Sequence, residues 1–259
     1  MDKPKPRFTS VDFYRGLTVG FMIVANNPGD TACVYRNLIH SRWHGWTLVD
    51  FIFPIFLFLV GVSIALACPG DAIRRPGLWP KALKRAALLF LLGLFVNWFP
   101  RFDLGSLRIP GVLQRISVVY LATLFLYQRL NRKWLAVAIV TILIGYWVLW
   151  TFVPVPGLGF PTLDVEYNLE SWLDQMLMRG HLWEYDTGWD PEGILSTVPC
   201  VALALLGVLS GGWLNGESKA SPALAFIVGL ILHLVGVAWG THFPINKIIT
   251  TSSFVLFVG

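Results

Sequence analysis

Between Ile39 and Gly61 the sequence reads IHSRWHGWTLVDFIFPIFLFLVG, two histidines and a carboxylate at the mouth of a strongly apolar run. Asp50 follows His40 by ten residues and Thr47 by three. A carboxylate that accepts one ring N–H fixes the imidazole tautomer, raises its basicity and leaves the other nitrogen free to take a proton. That is general-base chemistry, with His40 and His44 both candidates for the base and Asp50 for the acid that orients it. A helix start with Thr47 as N-cap would also favour an anion at Asp50. Even so, a carboxylate in such a run usually faces the protein interior with a partner.

Other polar residues sit where an apolar environment would resist them. Gln114 and Arg115, in RIPGVLQRISVVY, fall inside a helix one turn past Pro110. A bare guanidinium there costs several kcal/mol, so Arg115 needs an acid or an anionic ligand such as a phosphate, whose oxygens suit its fork. Asp12 and Arg15, three apart on one helical face, suit an ion pair at the membrane boundary. Asn26 and Asn27 close the same helix, where an amide caps the helix or binds a substrate. Cys33, Cys68 and Cys200 are scattered and odd in number, which supports neither a disulfide framework nor a metal site.

The elements that must position these groups are helices in lipid. Of 259 residues, 55% are hydrophobic and 14% charged, more apolar surface than one soluble core buries. Apolar segments at about 13–27, 48–68, 86–99, 112–127, 134–153, 195–214 and 223–240 approach the ~20 residues that span a bilayer, and an eighth begins near Ile248. The expectation is an all-α polytopic transmembrane bundle of about eight spans, one integral membrane domain over 1–259, with the eighth span cut short at Gly259. Cations divide twelve to six between alternate loops, which places the N-terminus inside, in the cytoplasm of a bacterial inner membrane, and the His40 loop outside. Charge spread by topology in this way argues against a nucleic-acid partner.

Two outer loops are long, Pro28 to Thr47 and Pro154 to Leu195, and long loops are more often functional than accidental. The second contains NLESWLDQMLMRG, which predicts an amphipathic surface helix with Leu169, Trp172, Leu173, Met176 and Leu177 on one face. Pro54, read as one turn inside its helix, predicts a bend.

SVDFYRG, VANN, WHGWTLVDFIFP, RIPGVLQR, DPEGILST, FPINK and TTSSF occur in the order and approximate spacing of the heparan-α-glucosaminide N-acetyltransferase family, which the chain resembles over nearly its whole length. The resemblance implies a helical membrane bundle that moves acetyl from cytosolic acetyl-CoA to an amino sugar on the opposite face, with no metal. It carries the catalytic histidine onto His40, ahead of His44, the active-site asparagine onto Asn26 and the orienting acid onto Asp50. Trp43, His44, Gln114, Arg115, Asp190 and Glu192 stand as substrate-binding candidates, and Lys84 and Arg85 as contacts for the CoA phosphates. Asn27, Pro28, Gly29 and Asp30 replace the family's glycine-rich stretch. The bilayer is a partner, and the reading allows a homodimer. The rival readings are an O-acyltransferase of envelope glycans and a membrane transporter of a sugar-like solute.

Overall fold

The computed structural model describes residues 8–30, 33–69, 73, 77–99, 101–183, 188–214 and 221–259. The cations Lys3, Lys5, Arg7, Arg74, Arg75 and Lys219 and the acids Glu184 and Asp186 lie outside the described residues. The described chain is all-helical: α1 (Thr9–Asn26), α2 (Ile52–Ala67), α3 (Leu78–Trp98), α4 (Val112–Arg129), α5 (Arg132–Phe152), α6 (Leu169–Met178), α7 (Thr197–Leu214), α8 (Pro222–Trp239) and α9 (Ser252–Val258). Among these residues no strand forms, only two isolated bridges.

Seven of the helices coincide with the seven complete apolar segments, and α9 begins four residues after the expected start of the eighth. Three stretches are long and apolar enough to cross a bilayer: Leu48–Ala67, Arg132–Phe152 and Thr197–Leu214, with Ala223–Trp239 a shorter apolar helix. These helices are compatible with a membrane protein. Eight spans of that quality are not present among the described residues. Asp12 and Arg15 in α1, Lys81, Lys84 and Arg85 in α3, and Gln114, Arg115 and Arg129 in α4 dilute the apolar character of those helices.

The centre of the bundle is α2 against α7, whose backbones meet through small residues. A Cβ on Gly61 would lie 1.8 Å from the Ala204 carbonyl oxygen, and one on Gly207 would lie 2.0 Å from that of Phe58. Only hydrogen fits at either crossing, as in the close helix pairs of membrane proteins. Leu57, Ala65, Val119, Leu135 and Leu203 fill the surrounding core between α2, α4, α5 and α7. Pro54 is the third residue of α2, because a 3-10 turn at Leu48–Phe51 precedes the helix. The turn runs directly into α2, so Pro54 lies inside one continuous helical stretch, Leu48–Ala67.

A second, outer cluster of Trp43, Tyr146, Trp150, Val155, Leu169, Phe243 and Ile249 binds the long loops to the end of α5. Helix α6 is capped by Asn168, whose side chain accepts from the Ser171 N–H at 2.8 Å. Its two faces differ in kind. Leu169, Glu170, Ser171 and Asp174 face inward, whereas Trp172, Met176 and Leu177 are 37%, 65% and 56% exposed. The Ile194 N–H donates to Asp174 and the Ser196 N–H to Glu170, each at 3.1 Å. The donors leading into α7 thus draw the two acids in, since helix starts leave N–H groups without partners.

Candidate functional site

Asp50 sits in the 3-10 turn before α2 with no exposed side-chain surface, and its carboxylate is fully engaged. Oδ2 accepts from the Thr47 N–H at 2.9 Å, the Thr47 hydroxyl at 3.1 Å and the Ser41 N–H at 3.2 Å. Thr47 therefore donates to Asp50 through both groups, and the turn folds around the acid. Oδ1 is left for the His40 ring, whose Nδ1 lies 2.7 Å away. A carboxylate can only accept, so Nδ1 carries the proton and Nε2 keeps its lone pair. The His40 side chain is 52% exposed, so the ring is open to solvent.

Lys247 completes the group, and reading the sequence did not assign it a role. Its Nζ lies 3.3 Å from Asp50 Oδ1 and 2.9 Å from His40 Nδ1. With Nδ1 protonated, the contact that carries attraction is the one to the carboxylate. Burial pushes the Lys247 ammonium below the ordinary lysine value, and the Asp50 charge restores part of that shift. The signal available was FPINK, which ends at Lys247. Nothing in spacing joins residues 207 positions apart.

Hydrogen bonds hold the Lys247 turn against the histidine loop. The Gly45 N–H donates to the Ile245 carbonyl at 2.8 Å, beside a parallel bridge between Gly45 and Asn246. Asn246 is fully buried, and its Oδ1 accepts from the Ile248 and Ile249 N–H groups. The Tyr146 hydroxyl donates to the Ile249 carbonyl at 2.5 Å, and the Ser252 hydroxyl to that of Leu143 at 2.6 Å, tying the turn to α5.

His44 lies in the seam between these loops. Its Nδ1 is 3.4 Å from Asn246 Nδ2, and burial pushes the imidazole below its ordinary value, which suits a neutral acceptor. Trp43 donates to the Leu163 carbonyl at 2.8 Å, and its ring meets Trp189 at 5.8 Å, so it ties the two outer loops together. Asn26 is the last residue of α1 and exposed, and α1 packs along α2 and the Asp50 turn. Asp12 and Arg15 pair at 3.1 Å, and Arg15 also reaches the Ser63 hydroxyl, fastening α1 to α2.

Arg115 is buried on α4, its guanidinium 5.8 Å over the ring of Phe53, three residues after Asp50. Its hydrogen-bond partners are neutral: the Ser196 hydroxyl, the Gly193 carbonyl and, at 4.0 Å, Cys200 Sγ. Gln114 beside it occupies space left by Gly93 and Gly111, where an added Cβ would come within 2.2 and 2.6 Å of its Oε1. Asp190 and Glu192 both bind Arg108, Asp190 through two bonds of 2.6 and 2.9 Å. Burial opposes the Arg108 charge, and the two carboxylates more than restore it. Lys84 and Arg85 lie on the second turn of α3, and Arg85 stands 5.6 Å over Tyr120. Asn97, thirteen residues along α3, binds the Arg108 and Pro110 carbonyls, which puts the two cations about 20 Å from that outer loop along the helix axis. No group of three His, Cys, Asp or Glu side chains among the described residues is arranged to hold a metal ion.

Residues 7–225 match the family described as heparan-alpha-glucosaminide N-acetyltransferase, catalytic. The chain belongs to this family. Two relatives named heparan-alpha-glucosaminide N-acetyltransferase align with it at 29% identity. The one from Homo sapiens matches 98% of this chain and 48% of its own length, and the one from Mus musculus 96% and 46%. The chain thus spans about half the length of the curated relatives it matches. The family is named for an N-acetyltransferase, and the matched region for its catalytic part. The match ends at residue 225, so Lys247 and its turn lie beyond it, whereas His40 and Asp50 lie within.

Proposed function

We propose that the protein is an integral membrane acetyltransferase that moves acetyl from acetyl-CoA to the amine of an amino sugar on the outer face, with His40 as general base. The observation that carries this reading is the 2.7 Å contact between His40 Nδ1 and Asp50, which favours the tautomer whose Nε2 accepts a proton. The neutral acceptor amine attacks the thioester carbonyl carbon, and the C–N bond forms as its proton passes to Nε2. The tetrahedral intermediate then expels the CoA sulfur, which takes the proton from the imidazolium. The products are the N-acetyl sugar and CoA thiol. Asp50 stabilises the transient imidazolium, and such positioned proton transfer supplies roughly 10²–10⁴-fold in rate.

Asn26, at the outer end of α1, supplies an amide for the tetrahedral oxyanion. The exposed cations Lys84 and Arg85 mark the end of α3 remote from His40, on the side from which CoA comes, and the N-terminus lies on that cytoplasmic side. The acetyl arm must then cross the bundle to reach His40. The test uses full-length protein in proteoliposomes with labelled acetyl-CoA and glucosamine, methyl glucosaminide and hydroxyl-only sugars. Amine-dependent label transfer, lost in His40→Ala, supports the reading. Transfer to hydroxyl sugars alone moves it to an O-acyltransferase, and transfer retained by His40→Ala removes the assigned base.

A further inference from the structure

Lys247 sits in a turn built to present it. Its carbonyl accepts from the Thr250 N–H at 3.1 Å and the Thr250 hydroxyl at 3.0 Å, and the Thr251 N–H donates to the Asn246 carbonyl at 3.0 Å. Closing the turn puts buried Thr250 at φ 46°, a left-handed backbone that a β-branched residue rarely adopts. Strain of this kind persists only where the surroundings over-determine it, and it clusters at functional sites. The turn delivers one ammonium to one carboxylate. Among the described residues the His40 ring has two side-chain partners, Asp50 Oδ1 at 2.7 Å and Lys247 Nζ at 2.9 Å from Nδ1.

Three groups share this contact, and their charges balance. The Asp50 side chain has no exposed surface and that of Lys247 is 20% exposed, so water screens neither well. Carboxylate, ammonium and neutral imidazole sum to zero. A proton added to His40 then brings a second positive charge onto a ring whose Nδ1 lies 2.9 Å from the first. Without the ammonium the buried carboxylate is uncompensated, and an imidazolium becomes its countercharge. A base held in that ion pair has no lone pair to offer. We infer that Lys247 is a positioning residue that reserves the His40 lone pair, by holding the Asp50 charge that would otherwise keep a proton on the ring. Nδ1 still donates to Oδ1, and Nε2 is the nitrogen kept free. In turnover the same ammonium favours passage of the proton from the imidazolium to the departing CoA sulfur. That step rests on the acetyltransferase reading above, whereas the resting state of the ring does not.

The test is modification of the full-length protein in nanodiscs by diethyl pyrocarbonate, which reacts with unprotonated imidazole. Peptide mass mapping reads the rate at His40, with exposed His242 as the internal reference. Lys247→Met is expected to slow His40 modification at least fivefold at pH 7 and to match wild type at pH 9, with Lys247→Arg within twofold of wild type at both. A loop merely loosened by the substitution exposes His40 and speeds the reaction, so the direction of change separates the two roles. An unchanged or faster rate in Lys247→Met at pH 7, or equal slowing in Lys247→Arg, overturns the inference. Where acetyl transfer is active, kcat of Lys247→Met falls at least tenfold at pH 7 with KM within twofold, and recovers at pH 9. An equal loss at both pH values counts against the inference. The modification readout needs no turnover, so a wild type that transfers no acetyl removes the function proposed above and still leaves Lys247 to be decided.

Discussion

His40 Nδ1 and Asp50 Oδ1 lie 2.7 Å apart across the mouth of α2, and the second oxygen of the same carboxylate accepts three donors from Ser41 and Thr47. The acid is held by its own loop, so its direction toward the imidazole is set before any substrate arrives. Asp50→Asn keeps the volume but offers an amide N–H to Nδ1, which favours the tautomer with its proton on Nε2. Acetyl transfer is expected to fall by roughly 10²–10⁴-fold in kcat with little change in KM. Initial rates with labelled acetyl-CoA measure it, and a change confined to KM would assign Asp50 to binding.

The two histidines separate cleanly by function. His40→Ala is expected to lower turnover by about 10²-fold or more. His44→Ala removes an exposed ring that reaches Asn246 across the seam and is expected to change stability by only about 0.5 kcal/mol, with kcat within a few-fold of wild type. Parallel thermal unfolding and rate measurements distinguish these outcomes, and the reverse pattern would make His44 the base.

Lys247→Met is expected to destabilise the protein by roughly 2 kcal/mol, because it withdraws the cation beside a carboxylate with no exposed surface. The loss should shrink in the double variant with Asp50→Asn, which no longer carries the charge. A double-mutant cycle on unfolding midpoints in detergent reads the coupling, and additive losses would show that the two side chains do not interact.

Glycine at 207 is fixed by geometry. Its Cβ would stand 2.0 Å from the Phe58 carbonyl oxygen and 3.1 Å from the Val62 nitrogen, both backbone atoms that cannot rotate away. Gly207→Ala must push α2 and α7 apart and is expected to cost about 3 kcal/mol. Gly145→Ala on α5, where a Cβ meets nothing within 4 Å, serves as the neutral comparison.

Alkaline pH should loosen α6. Burial raises both Glu170 and Asp174 above the ordinary carboxylate range, with the Asp174 charge adding for Glu170 and the Asp190 charge for Asp174. The folded protein then binds more protons than the unfolded chain between the ordinary and the raised values, so stability falls as pH rises through that window. Glu170→Gln is expected to remove up to about 1.4 kcal/mol per pH unit from the slope. Unfolding midpoints from pH 5 to 9 measure it, and a profile unchanged by the substitution would place the titration elsewhere.

The helices were legible in the sequence because their apolar runs are long and their ends carry Asn, Pro and Gly signals, as in Asn131 capping α5 and Asn168 capping α6. His40 and Asp50 were legible because both lie in one short segment. The inward pull on Glu170 and Asp174 was not, since the N–H groups they accept from lie 26 and 20 residues further along the chain. Lys247 was not either: as an isolated cation in an outer loop it carries no local mark of the carboxylate it meets.

The separation of 207 residues between His40 and Lys247 has a bearing on how the protein is made. During synthesis the histidine loop emerges early and must wait, with its buried acid lacking a countercharge, while six more long helices are made. Only when the turn at Ile245–Thr251 leaves the ribosome does Asp50 gain its cation and the Gly45 N–H its acceptor. A nascent chain arrested before that point would hold the histidine loop exposed to proteases and quality-control factors. The late arrival of Lys247 thus makes the assembly of this charged group wait on the six long helices made between its two halves.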